Sequence, residues 1–447
     1  MLIVMRPLFV AAVLLCFVPV ATAQEQGQKQ EQEQEESQSP ECSPQNLDAC
    51  DEKTLSKWRR WLTVAAPDQV ERRLRIDSLP GDPLLSAPWA DKLQAKKSAF
   101  EEARGVSWSV DYINAYLYAN ESLGDKNAAA GVLRFMGVWE AMAGDGGNSG
   151  ALVWKAEHRH AYGDHVSPQA FGNEIGYAGL PHLTLSDQGG RLTNLYWRQR
   201  FRGGDTVLLA GWLDTSDYVD VYTLASPWTD FFNYVFSTGG ASMAVPNEGL
   251  GAAIGGYLTE NIYAIGGFAD ANSDPANPLD GVDTFFNQNE YFKHFDVGWN
   301  SSRETAFLNN FHVSLWQQDE RKEAGVEEGW GANFSWSQLI DKHWTVFLRG
   351  GFSEDGGAIL EETVSTGFAW ARVPGGNKLG IGLNWGVPMD STYGPDLPEQ
   401  TTLEAYYRIQ VFRDLALTPD IQYLRNPALN PSEDAIWVLG LRARLVF

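Results

Sequence analysis

Basic charge is in short supply. The chain holds 34 Lys and Arg against 57 Asp and Glu, a formal net charge of −23. A balance this acidic excludes nucleic acid as a natural partner. Long apolar runs are missing too. Beyond the first 23 residues no window holds the ~18 consecutive apolar side chains that a membrane-crossing helix needs. No phosphate-cradling glycine loop is present. Cysteine is scarce: three in 447 residues, one of them (Cys16) within the first 23.

Those first residues read as a secretory signal. Arg6 gives the positive start, "PLFVAAVLLCFVPV" the apolar stretch, and Ala21-Thr22-Ala23 the cleavage site. A lipid anchor on Cys16 is disfavoured by the bulky Leu15 before it. Loss of Arg6 with the signal takes the net charge from −23 to −24. An exported chain without a membrane-crossing helix is either soluble or a closed β-barrel.

Four stretches follow from composition and period: a signal at 1–23, a leader at 24–50, a helical extension at 51–104, and strands at 105–447. The leader "QEQGQKQEQEQEESQSP" is nearly free of apolar side chains and cannot support a core. Cys42 and Cys50 are a candidate local disulfide in an oxidising compartment, the alternative being two exposed thiols. "DEKTLSKWRRWLTV" carries Leu55, Trp58 and Leu62 on one helical stripe. "PWADKLQAKKSAFEEARG" predicts a second helix from Pro88, stopped by Gly105.

From Gly105 the period is two. Strands are expected to start near 105, 130, 151, 192, 205, 249, 261, 291, 308, 328, 344, 362, 378, 401, 416 and 435. Short turns ("RGGD" at 202–205, "LTEN" at 258–261) alternate with long loops such as "ADANSDPANPLDGVD" at 269–283. The stretch 163–190 is too irregular to place, and 226–247 is read as a loop folded inward. The spacing suits an all-β fold, a 16-stranded antiparallel transmembrane barrel with a short helical N-terminal extension. The 17 Trp, 16 Tyr, 22 Phe and 44 Gly suit its interfacial girdles and turns.

The strands have two unlike faces. In "LGLRARLVF", Leu439, Leu441, Ala443, Leu445 and Phe447 oppose Gly440, Arg442, Arg444 and Val446. Leu133, Phe135 and Trp139 oppose Arg134 and Glu140; Leu195, Trp197 and Phe201 oppose Arg198, Arg200 and Arg202. Leu403, Tyr407 and Ile409 oppose Glu404 and Arg408, and Val110 and Tyr112 oppose Asp111. Alternation alone does not say which face is inside. The terminal aromatic Phe447, on an alternating last strand, is the type of signal read by the outer-membrane barrel assembly machinery.

The last strands, "TTLEAYYRIQVFRDLALTPDIQYLRNPALNP" and "DAIWVLGLRARLVF", resemble the carbohydrate-selective OprB-type porins. That family has a Glu-x-Tyr-Tyr strand, here Glu404 to Tyr407, and a Thr-Pro-Asp-x-Gln-Tyr strand, here Thr418 to Tyr423. "LYWRQRFRGGDTVLLAGWLDTSDY" is similar to its Tyr-Trp-x-Gln hairpin. The likeness runs from about residue 85 to 447, with Ala90-Asp91 where two glycines are usual in the helix before strand one. Residues 1–84 share none of it. The resemblance implies a bacterial outer-membrane channel passing sugars, especially monosaccharides, through an arginine-lined constriction with acidic partners. It implies no enzyme activity and no cofactor, with membrane lipid around the barrel and the N-terminal extension in the periplasm.

Arg134, Arg198, Arg200, Arg408, Arg442 and Arg444 are therefore the candidate pore-lining and sugar-binding cations, with Asp111, Glu140 and Glu404 as acidic partners. If first and last strands join, the early and late arginines become neighbours on one wall. Each arginine alone could equally be a solvated or cross-strand paired side chain. The sequence leaves open a monomer or a homo-oligomer.

Other signals are weaker. His158 and His160 share a strand face near His165, without the helix motif of a metal site. Asp270, Asn272 and Asp274 begin like a calcium loop but lack its sixth-position glycine and closing glutamate. Ser353 is not in a nucleophile elbow, because Asp355 stands where glycine is required. Two other classes stay in view: a secreted or anchored glycan-binding or glycan-cleaving β-protein, and an anchor that tethers a barrel through residues 24–84.

Overall fold

The computed structural model describes residues 69–79, 82–143, 147–372 and 375–447. The signal segment, the leader, the Cys42 and Cys50 pair and the Leu55 stripe lie outside the described residues. Two helices come first: α1 at Gln69–Ser78 and α2 at Pro88–Arg104. Pro88 sits in the first turn of α2, where a missing N–H costs nothing. Gly105 caps its end at φ 67, a left-handed conformation that suits glycine, and the period changes there.

Sixteen strands follow: β1 Val106–Ala119, β2 Asn127–Ala143, β3 Ser149–Ala161, β4 Gly189–Phe201, β5 Thr206–Leu213, β6 Gly249–Tyr257, β7 Ile262–Asp270 and β8 Tyr291–Asn300. The second half comprises β9 Asn310–Gln318, β10 Gly329–Ile340, β11 Trp344–Asp355, β12 Leu360–Ala371, β13 Lys378–Pro388, β14 Gln400–Phe412, β15 Leu415–Arg425 and β16 Ala435–Val446. Each start lies within three residues of its expected position. Every neighbour pairs antiparallel, and β1 pairs with β16, so the sheet closes on itself. Phe447 makes the last rung of that seam: its N–H donates to the Val110 carbonyl at 2.7 Å, and its carbonyl accepts from Val110 at 3.0 Å.

Burial settles the face question. Leu133, Phe135 and Trp139 are each 46% exposed, whereas Arg134 between them is 2% exposed. The same inversion recurs around the barrel: Phe295, Trp299, Leu315, Trp336, Leu348 and Leu441 are exposed, and Asp296, Ser314, Ser335, Arg349 and Arg442 are buried. A soluble barrel would hide the apolar face. This one shows it outward, as a wall against lipid requires.

The interior is filled from both ends. The segment 214–248 between β5 and β6 folds inward, as expected for 226–247, and buries Phe231, Phe232, Val235 and Phe236. The stretch 163–188 also turns inward, which explains its lack of period. A short helix at Phe171–Ile175 and Tyr177 pack on Leu117, Leu424 and Val438. At the mouth where the chain ends, α1 lies inside the barrel. Val70 and Leu74 join the buried cluster formed by Met136, Val138, Val153, Tyr196, Val207 and Leu209 on the inner wall.

Candidate functional site

The inward arginines divide by what they hold. The first group grips α1. Glu71 accepts from Arg198 Nη1 at 2.8 Å and from Arg200 Nη2 at 2.6 Å. Glu140, the partner expected for these arginines, also bonds Arg198 and lies 3.7 Å from Arg200. Two turns along α1, both Asp77 oxygens receive the Arg444 fork, at 2.9 and 2.6 Å. Arg444 donates as well to Asp111, at 2.7 Å, and Arg134 Nε reaches the other Asp111 oxygen at 2.7 Å. The register places Asp111 directly opposite Arg134 on the neighbouring strand, so this bond is written in the ladder.

The carboxylates of α1 feel these cations strongly. Burial alone would raise the Asp77 carboxyl, but Arg444, helped by Arg73 and Arg134, brings it down to about 2. Burial likewise opposes ionisation of Glu71, and Arg200 and Arg198 overcome it, leaving Glu71 well below the usual carboxylate range.

A second group grips the inward segment 214–248. Arg442 donates to the carbonyls of Pro227 and Asp230, at 2.7 and 2.9 Å, and stacks 4.3 Å over the Phe232 ring. Arg349 donates to the Ser237 carbonyl at 2.6 Å and pairs with Asp220, which also bonds His312 at 2.9 Å. Lys155 holds Asp214 and Asp217 at 2.9 Å each. Asp230 takes Lys378 at 2.7 Å and Tyr406 at 2.9 Å.

Two predicted residues stand apart. Among the described residues Glu404 meets no arginine; it accepts from the backbone N–H groups of Phe232 and Asn233, at 2.5 and 3.0 Å. Arg408 bonds Gln410 at 2.7 Å and the Gly375 carbonyl at 3.3 Å. The structure thus brings Asp111, Arg134, Glu140, Arg198, Arg200 and Arg444 together around α1, and places Arg442, Glu404 and Arg408 elsewhere.

Trp228, at the tip of the inward segment, lies 4.0 Å beneath the Arg134 guanidinium. Beside it, Arg73 of α1 bonds the Ser226 hydroxyl at 2.6 Å. A cavity of about 40 Å³, room for a few waters, lies behind α1 between Asp77, Lys97, Glu101 and Ser109. His158 and His160 face outward, stacked at 5.6 Å beside Tyr112 and Tyr162. Among the described residues no group of three or more His, Cys, Asp or Glu could hold a metal ion.

Glu71, Asp77, Asp220, Arg349, Lys155 and Trp228 were not foreseen. Arg349 could have been found, since "VFLRGGF" alternates as the other arginine strands do. Glu71 and Asp77 could not, because a helix with charges on several sides reads as a solvated one.

Residues 294–447 match the family model described as carbohydrate-selective porin, OprB family. Among solved structures, the high-pH structure of Pseudomonas putida OprB superposes with a TM-score of 0.62 at 12% identity, covering 79% of this chain and 97% of that one. Its low-pH structure covers 79% and 96% at 12% identity, with a TM-score of 0.46. A mutant of Rh. blastica porin covers 76% and 100% at 13% identity, also at 0.46. No curated protein matches the chain. The resemblance to the OprB-type carbohydrate-selective porins seen in the closing strands is matched by the family model over residues 294–447, and the barrel shares its fold with the P. putida protein.

Proposed function

We propose that this protein is an outer-membrane porin through which carbohydrates, monosaccharides among them, diffuse passively. The observation that carries the reading is the inverted burial: an apolar band faces out, and guanidinium and carboxylate groups face in, on a barrel whose residues 294–447 match a carbohydrate-selective family. A soluble glycan-binding protein would expose the other face.

The mechanism needs no covalent chemistry. Where α1 is drawn aside, a sugar entering the barrel gives up bulk water and regains hydrogen bonds from Arg134, Arg198, Arg200 and Arg444 and their carboxylate partners. A guanidinium offers five donors in a fixed plane and stays charged at any physiological pH. Trp228 supplies a ring for the apolar face of a sugar. Contacts must stay weak, since a tightly held solute would not leave.

The test is electrical. The full-length chain in planar bilayers should give channel events whose ion current falls when a monosaccharide is added. Repeated insertions without any conductance would rule the reading out. A soluble chain recovered from periplasm or medium without detergent would favour a secreted glycan-binding protein instead.

A further inference from the structure

Helix α1 has two attachments of different kinds. Val70 and Leu74 seat it on an apolar inner wall, and two carboxylates plug it into guanidinium groups. Glu71 and Asp77 are six residues apart, so their Cα atoms are displaced by about 9 Å along the helix axis. One is received by two arginines side by side, the other by a single arginine fork in the geometry that matches a carboxylate. From the same helix Arg73 reaches the hydroxyls of Ser226 and Thr229, and the ring of Trp228 lies against Arg134, which shares Asp111 with Arg444.

Guanidinium forks for acids, hydroxyls for polar edges and an aromatic ring for an apolar face are together what a carboxylate-bearing sugar requires. We propose that the Arg198 with Arg200 and Arg444 sites are solute sites for sugar acids, and that α1 is a tethered occupant whose Glu71 and Asp77 stand in for the solute carboxylate. This rests on the carbohydrate-porin reading and narrows its substrate class.

The energetics favour an acid over a neutral sugar. Withdrawing Glu71 takes from Arg198 and Arg200 a carboxylate that both hold in a buried setting. Glu140 stays with Arg198 and Asp111 with Arg444, but each site is one carboxylate poorer, and removing one partner from a buried charge cluster is costly. A neutral sugar restores hydrogen bonds only. A sugar carboxylate restores the charge as well, so exchange with α1 is less uphill. Water also reaches the contact. The cavity behind α1 borders Asp77, and Lys97 and Glu101 line it, so the Asp77 fork can be hydrated as it opens.

The experiment uses the full chain in planar bilayers with sodium glucuronate and glucose at matched ionic strength. In the natural sequence, glucuronate should raise the fraction of time the channel is open, by competing with α1, and glucose should not. In the E71Q/D77N variant the open fraction should rise without solute, and glucuronate should halve the current at about tenfold lower concentration than glucose. Adding R200A to that variant should remove the preference. Equal block by both sugars, or stronger block by glucose, overturns the acid preference while leaving a carbohydrate porin. Block by neither sugar in a conducting channel brings down the carbohydrate reading on which this inference rests. An open fraction that answers neither to E71Q/D77N nor to glucuronate overturns α1 as the occupant. Should the variant fail to assemble, the natural-sequence arm decides alone.

Discussion

Two pieces of chain occupy the barrel, and they are held in opposite ways. The segment 214–248 is continuous with strands at both ends. Its aromatic side chains Phe231 and Phe236 pack with Tyr222, Phe347 and Tyr406 into a cluster of their own, and its backbone is bonded by Arg442, Arg349 and Glu404. Helix α1 contributes two buried aliphatic residues and is held chiefly by ion pairs, with Arg73 on the Ser226 hydroxyl and Arg413 on the Ser78 carbonyl as lesser contacts. Carbonyl and N–H contacts with a sealed aromatic core make a part of the wall. Ion pairs to exchangeable carboxylates make a guest. The first should fail only with the fold, and the second should fail by itself.

The sharpest break of that comparison is paired surgery. Removing residues 69–78 from the chain should leave a folded barrel and give the largest rise in conductance of any change considered. Arg349→Ala should do the reverse, leaving conductance in survivors similar but the barrel weaker by about 3–5 kcal/mol, since Asp220 would lose the cation it was buried against. Urea unfolding followed by tryptophan fluorescence measures the second, and bilayer recording the first. A deletion that unfolds the barrel would make α1 part of the wall.

Acid should loosen the guest. Both α1 carboxylates are held below their ordinary values, so their contribution is complete above about pH 4 and is lost as pH falls through the folded Asp77 value of about 2. Open fraction should be flat from pH 8 to about 5 and climb below about 4. Glu101, which pairs with Arg75, is also held down and should reinforce the trend. A climb already under way at neutral pH would mean that other groups control α1. A smaller and separate effect is expected from Leu74→Ala. It thins the apolar seat by about 2 kcal/mol or more and should raise the open fraction at every pH alike.

The wall was largely legible in the sequence, and the guest was not. Period two fixes which side chains share a face, so Arg442 and Arg444 could be grouped against Leu441 and Phe447 before any strand was paired. The seam could be guessed because closure is the one way to leave no edge in lipid. What each arginine holds was invisible. Arg198 meets Glu71 across 127 residues, Arg444 meets Asp77 across 367, and Arg349 meets Asp220 across 129. No local pattern encodes such pairs. The stretch 163–188 was unreadable for a related reason: enclosed on several sides at once, it has no single buried face to give it a period.

The finest probe compares an arginine that holds the guest with one that holds the wall. Arg200→Ala removes one guanidinium from Glu71, and Arg198 at 2.8 Å and Arg75 at 3.8 Å remain on the same carboxylate. Helix α1 should loosen only slightly. In open channels, however, one positive charge is gone from the mouth, and ion selectivity should shift toward cations. The shift should shrink as salt is raised, because fields in a water-filled passage are screened within about 8–10 Å near physiological ionic strength. Arg442→Ala removes a charge too, but that guanidinium spends its donors on the carbonyls of Pro227 and Asp230 of the inward segment, not on α1. It should scarcely move selectivity and should instead lower the resistance of the barrel to urea. Reversal potentials in a salt gradient separate the two. If Arg442→Ala shifts selectivity as much as Arg200→Ala does, ions pass beside the inward segment as well as past α1, and the division between wall and guest is drawn in the wrong place.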